Sequence, residues 1–203
     1  MRNVAKTTKN RRELRRRATR ETVYRAALAE FERRGVAAAQ VSDIARAAGV
    51  AYGTFYSHFE NKRAVLLESS QRTAARVREA IATTPAESYP TAETFFLDVA
   101  RIHALTRPDS PALRTDVWQA AVTQPQSFES HPHIEALAAR VAVLQQRGVI
   151  RNDESAVAIA GVFLTCLIGF LAQSPEPDAE RLELLARLYS AGCEVSRNAP
   201  RQT

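Results

Sequence analysis

The sequence predicts an all-α chain: a small helix-turn-helix domain at the N-terminus and a larger helical domain after it. Three observations predict this. Apolar residues recur at helical spacing almost throughout, and strand-type alternation is nearly missing. Val23, Ala26, Ala27 and Phe31 form one stripe at i, i+3, i+4 and i+8. Two short helical stretches then flank a glycine at Gly49, the layout of a helix-turn-helix.

Charge divides the 203 residues unevenly. Residues 1–80 hold 18 Lys/Arg against 8 Asp/Glu, a net +10, and residues 81–203 hold 10 against 14, a net −4. A basic third on an acidic remainder points to a polyanion partner for that third alone. Cys166 and Cys193 are the only cysteines, which suits a reducing cytoplasm and excludes a disulfide scaffold or a structural zinc site. The basic N-terminus has no apolar run behind it, so it does not read as a secretory signal.

Residues 1–10 read as a disordered basic arm. Arg11, Arg12, Arg15, Arg16, Arg17 and Arg20 extend the basic run into the first helix. The run suits a minor groove or phosphates, or equally a solubilising tail. The first helix is expected to stop at Gly35, after Arg33 and Arg34. Val41, Ile44, Ala45 and Ala48 make a short second helix, and Ala51 to Phe59 a third. Residues 11–60 are thus expected to form a helix-turn-helix domain, with DNA as the polyanion it would bind. Residues 61–84 form a connecting helix capped by Asn61.

Residues 85–203 form the second domain. Thr91 caps a helix through Ala104, and Ser110-Pro111 starts one reaching about Val122. The stripe Ile134, Leu137, Ala138, Val141 and Leu144 ends at Arg147-Gly148. Asp153 is expected to open a helix to about Gln173, and Asp178 the last one. About nine helices result.

The third short helix crowds four aromatics. Phe55 and Phe59 are four apart on one face, and Tyr52 and Tyr56 four apart on another. The first pair can plug a core with Val23, Ala27, Phe31 and Ile44. The second can point outward, with hydroxyls for phosphate oxygens, or be ordinary half-buried tyrosines. Gly53 leaves room for a DNA backbone. Thr54 and His58 add polar groups near that surface. Lys62, at the next helix start, can hold a phosphate with the free amides there. Ser42 and Arg46, one helix earlier, are further backbone contacts.

The segment "VSDIARAAGVAYGTFYSHFENKRAVL" resembles the DNA-binding domain of TetR-type transcriptional regulators. The matching positions are Ile44-Ala45, Gly49-Val50, Gly53-Thr54-Phe55-Tyr56, His58-Phe59 and Lys62. "ETVYRAALAEFERRG" is similar to the family's opening helix. The resemblance covers about residues 15–68. Three departures stand out: Gln40 and Ala51 replace the usual Ser or Thr caps, and Glu30 replaces an apolar residue. The DNA-binding residues implied are Ser42, Arg46, Ala51, Tyr52, Gly53, Thr54, Tyr56, His58 and Lys62.

Residues 155–174 carry no charge and rival a membrane anchor in length. Their alanines and polar residues, the amphipathic helix that follows, and acidic flanks argue against one. A helix apolar all round is instead buried on all sides. Gly161, Thr165 and Gly169, spaced by four, allow close helix contact, and Phe163, Cys166 and Phe170 lie on another face. Leu182, Leu185 and Tyr189 share a face of the last helix.

The resemblance implies that these last two helices pair with their counterparts in a homodimer. It also implies a small-molecule effector pocket, with candidate lining Phe95, Phe96, Val99, His103, Trp118, Phe128, Phe163, Cys166 and Phe170. Each of these also reads as an ordinary core side chain. His131 and His133 lack a third ligand, so no metal is expected, and no cofactor. No HExxH, Walker-type loop, GxGxxG or GxSxG occurs, so no catalytic residue is assigned. The expected function is a cytoplasmic repressor that an effector releases from a palindromic operator. The alternative is a protein anchored in a membrane through 155–174.

Overall fold

Helix α1, Arg2–Ala38, begins well before the first apolar stripe. It belongs to a computed structural model that describes residues 2–106, 111–122, 132–173 and 178–195. The expected disordered arm over 1–10 is therefore helical from Arg2 onward. This stretch has no Gly or Pro to break a helix, and Arg2, Ala5, Lys6 and Lys9 are good helix formers. A Glu13–Arg17 pair at 3.2 Å adds i, i+4 support. Gly35 interrupts α1 as expected, with φ 77° and ψ 155°, a conformation nearly exclusive to glycine.

The chain divides into two units, Met1–Glu68 and Ser69–Thr203. In the first, α2 is Val41–Ala47 and α3 is Tyr52–Tyr56. Gly49, at φ 66°, turns the chain between them, and Val50 N–H bonds back to the Ala45 carbonyl at 3.0 Å. Val23, Ala27, Phe31, Ile44, Phe55, Phe59 and Val65 are buried to 1% exposure or less. The α3 helix is shorter than the expected 51–59, because the chain turns at Ser57 and His58.

The departures at the helix starts have visible consequences. Gln40 and Ala51 make no side-chain cap to α2 or α3. Asp43 stands in the first turn of α2, where its carboxylate favours the helix dipole. It also pairs with Arg46 at 3.0 Å and Arg34 at 3.6 Å. Glu30 is 7% exposed yet paired, with Arg33 at 2.7 Å and Arg34 at 3.2 Å. That pairing is why a carboxylate is tolerated where an apolar side chain is usual.

Helix α4, Lys62–Thr83, is capped by Asn61, whose Oδ1 accepts the Ala64 N–H at 3.0 Å. It crosses the boundary between the units. The second unit adds a 3-10 turn at Ala86–Ser88 and five helices: α5 Ala92–Thr106, α6 Pro111–Val122, α7 Pro132–Gln146, α8 Ala156–Gln173 and α9 Ala179–Ala191. Among the described residues every regular element is helical.

Thr91 caps α5, its Oγ1 accepting the Thr94 N–H at 3.2 Å. Asp178 caps α9 through the amides of Glu180 and Arg181. Asp153 does not open α8. Arg151 takes its carboxylate and holds its pKa below the usual range. Ser155 caps α8 instead, accepting the Ala158 N–H at 3.1 Å. The core of this unit gathers Val77 and Ile81 of α4 with buried faces of α5, α7, α8 and α9. Among the described residues no helix is long and apolar enough to cross a membrane, which removes the anchor reading of 155–174. The alanines, glycines and polar residues dilute that stretch, and Ile159, Phe163, Leu164, Leu167 and Leu171 are used in packing while Val162 stays exposed.

Candidate nucleic-acid interface

The α3 aromatics separate by face. Phe55 and Phe59 are 0% and 1% exposed, and their ring centroids lie 5.9 Å apart. Tyr52 and Tyr56 are 56% and 48% exposed. Their rings meet edge-on at 5.5 Å and their hydroxyls lie 3.2 Å apart. The hydrogen bond to Tyr52, and then burial, raises the Tyr56 pKa above its ordinary value. Two polar tips are thus presented on a helix whose opposite side is locked into the core.

Gly53 sits between them on the exposed side. Its φ is ordinary, and a Cβ built there would meet nothing within 4 Å. Neither backbone strain nor crowding inside the chain requires glycine. It nonetheless costs a helix about 1 kcal/mol relative to alanine. Ser42, Arg46 and Ala51 are exposed, and Thr54 and His58 half-buried. Burial, then the charges of Arg20 and Arg16, lower the His58 pKa, so its ring is neutral at pH 7.

Lys62 is placed differently from the expectation. Its ammonium donates to the carbonyls of Val36, Ala37 and Ala39 at 2.6, 3.0 and 3.0 Å. Three acceptors use all three ammonium hydrogens. Lys62 therefore closes the end of α1, where a helix leaves carbonyls without partners, and is not available as a free phosphate anchor.

Arg20 was expected in a basic arm and is instead engaged. Its Nε and Nη2 donate to one Glu68 oxygen at 3.0 and 2.5 Å, and its Nη1 to the His58 carbonyl. Its guanidinium also lies 4.1 Å above the Phe59 ring. The contact to Glu68 spans 48 residues, and no sequence pattern announces it. An open groove of about 800 Å³ also lies in this unit, lined mainly by α1 residues such as Ala18, Ala26, Ala29 and Arg33 together with Ala47. It shares no residue with the expected sites.

In the second unit the expected effector set is mostly packed core. Phe95, Phe96, Val99 and Phe163 are 0% exposed. Phe96 touches Phe163 and Tyr189 at centroid distances of 4.6 and 4.8 Å. These rings fill the space they were expected to line. Cys166 is exposed and does not join Phe163. Phe170 is half-buried beneath Arg181, 4.9 Å from its guanidinium. Phe128 and the Trp118 side chain, with His131 and the His133 side chain, lie outside the described residues.

The polar groups of α5 are engaged as well. Asp98 accepts from Tyr89 at 2.6 Å and Arg101 pairs with Glu183 at 2.9 Å. His103 is buried, with Nδ1 3.0 Å from the Val99 carbonyl, and burial pushes its pKa down to about 4.

The expected dimer residues divide. On α8, Gly161 is buried, Thr165 exposed and Gly169 half-buried. On α9, Leu182 is 3% exposed, and Leu185 and Tyr189 pack against the chain's own core. Tyr189 also donates its hydroxyl to the Ile159 carbonyl at 2.5 Å. That face is thus committed within the chain. The exposed apolar residues are Leu184 and Leu188 on α9 and Val162 on α8, at 43%, 66% and 55%. The i, i+4 pair Leu184–Leu188 was visible in the sequence, but so was the competing stripe through Leu182 that won.

Comparison with known proteins agrees with this architecture. Residues 23–69 match bacterial regulatory proteins of the tetR family. No curated protein matches the chain. FadR of Thermus thermophilus, a TetR-family transcriptional repressor solved with lauroyl-CoA, is 28% identical, with TM-score 0.63 over 89% of this chain and 98% of that one. GusR of Salmonella enterica is 21% identical, with TM-score 0.66 over 86% and 93%. FadR of Bacillus subtilis, solved with stearoyl-CoA, is 19% identical, with TM-score 0.59 over 86% and 99%. At the two lower identities the likeness is one of fold. The family match falls on the helix-turn-helix just described, so residues 23–69 carry the DNA-binding domain pattern of tetR-family bacterial regulatory proteins, and the chain as a whole is similar in fold to a TetR-family repressor.

Proposed function

We propose that this protein is a cytoplasmic, homodimeric repressor that binds a near-palindromic operator and is released from it by a small-molecule effector. The observation that carries the DNA-binding part is the exposed Tyr52–Tyr56 pair, held outward because Phe55 and Phe59 anchor the other side of α3. Gly53 supports it, since a glycine without an internal reason suits close approach of a DNA backbone. Tyr52, Thr54 and Tyr56 contact phosphates or base edges, and Ser42, Arg46, Ala51 and His58 lie along the backbone. Two α3 helices enter successive major grooves roughly 34–36 Å apart. The basic N-terminal part of α1 adds salt-dependent, sequence-independent affinity.

The homodimer forms through the outer faces of α8 and α9, namely the exposed Val162, Thr165 and Cys166 and the half-buried Gly169 with the exposed Leu184 and Leu188. The effector class to test first is a fatty acyl-CoA, because the 28%-identical repressor was solved with lauroyl-CoA. An acyl chain suits the aromatic core around Phe96 and Phe163, provided that core opens to admit it. Effector and operator then favour different dimer geometries, and each weakens binding of the other.

The test is selection of bound sequences from a random DNA pool, with affinity measured at two salt concentrations and then with acyl-CoAs of increasing chain length. A palindromic site, weaker binding at higher salt and release by one chain-length range are the expected results. Salt-sensitive binding with no recovered motif overturns the operator reading. Recovery of a motif that no acyl-CoA releases overturns the effector class alone.

A further inference from the structure

Two cations tie the first turns of α4 to the rest of the DNA-binding unit. Lys62, the first residue of α4, holds the three carbonyls of Val36, Ala37 and Ala39. Glu68, the last residue of that unit, holds Arg20 of α1. Arg20 in turn reaches the carbonyl of His58 and covers the Phe59 ring. His58 and Phe59 close the recognition segment, their N–H groups bonding the Phe55 carbonyl at 2.9 and 2.8 Å. The Glu68 side chain is only 15% exposed, so solvent screens this ion pair less than a surface pair. A planar guanidinium is the one side chain that can meet a carboxylate, a carbonyl and a ring face together.

We propose that Arg20 is a positioning residue for DNA binding. Clamped by Glu68, it fixes the end of the recognition segment to α4, so that α3 and residues 62–68 move as one body. This rests on the DNA-binding reading above.

Glu68→Gln tests this, because the proposal and simple electrostatics predict opposite signs. Removing one negative charge raises the net charge and by itself tightens DNA binding. Loss of the clamp is expected instead to weaken affinity for the selected operator about tenfold, well below the unfolding temperature. The double variant with Arg20→Gln should be no weaker than Arg20→Gln alone, as one shared interaction requires. Amide exchange at residues 58 and 59 should quicken about tenfold in Glu68→Gln without any DNA present. Should Glu68→Gln fail to fold, Arg20→Lys, which keeps the charge and loses the fork, carries the same expectations. Operator affinity equal to or tighter than that of the unaltered protein overturns the proposal, as does unchanged exchange at 58 and 59. If the unaltered protein selects no operator, the DNA-binding reading fails, and the exchange measurement still decides whether the clamp exists.

Discussion

Within α3, two pairs of aromatics with the same spacing do different work, and single substitutions separate them. Tyr56→Phe removes only a hydroxyl whose partner is the exposed Tyr52. Operator affinity should fall about tenfold or more if that hydroxyl bonds a phosphate, with the melting temperature nearly unchanged. A fall in stability without loss of affinity would make Tyr56 a core residue. Phe55→Ala should cost about 3 kcal/mol or more, because a fully buried ring leaves a cavity; chemical denaturation reads this directly. Gly53→Ala should stabilise the fold by about 0.5–1 kcal/mol while weakening operator binding. Tighter or equal binding by that variant would show that no backbone comes close to Gly53.

At the scale of the element, α4 begins with a cation doing a helix-closing task. Lys62→Met keeps the length of the stem and leaves three carbonyls at the end of α1 without their donor. The expected cost is about 2 kcal/mol in denaturant unfolding. The salt dependence of operator binding should keep its slope, since no phosphate contact is lost. A slope lowered by about one unit would restore Lys62 as a phosphate contact. On α9, Leu188 is 66% exposed, so Leu188→Glu should leave the helical content of the chain intact. Sedimentation should then report a monomer where the unaltered protein is a dimer. A variant that stays dimeric would remove α9's outer face from the proposed interface.

Across the whole molecule, pH acts through the core of the second unit. Burial lowers the His103 pKa to about 4 from 6.5. The unfolded chain therefore binds more protons than the folded one between those values, and stability rises with pH across that window. His103 contributes its full share above about pH 6.5 and loses it as pH falls toward 4, on the order of 3 kcal/mol. His103→Gln should remove that part of the slope from stability curves measured between pH 7 and 4. Equal slopes in both proteins would show that His103 is not the responsible group.

What the sequence alone determined was whatever depends on neighbours along the chain. The helical periodicities, Gly35 and Gly49 at positive φ, and the caps at Asn61, Thr91 and Asp178 are local, since their partners lie within a few residues. The outward and inward faces of α3 follow from a spacing of four. The helix-turn-helix and its family pattern were legible for the same reason. The tertiary structure alone decided the contacts that bridge distant residues. Arg20 meets Glu68 across 48 positions and Lys62 reaches the end of α1 across 23 to 26. It also decided which α9 stripe faces inward, because Leu182 and Leu184 both head apolar i, i+4 rows. Only packing against α5 and α8 selects one of them. A charged side chain advertises its charge in the sequence but not its partner, and the partner decides whether that charge holds the fold together or stays free for DNA.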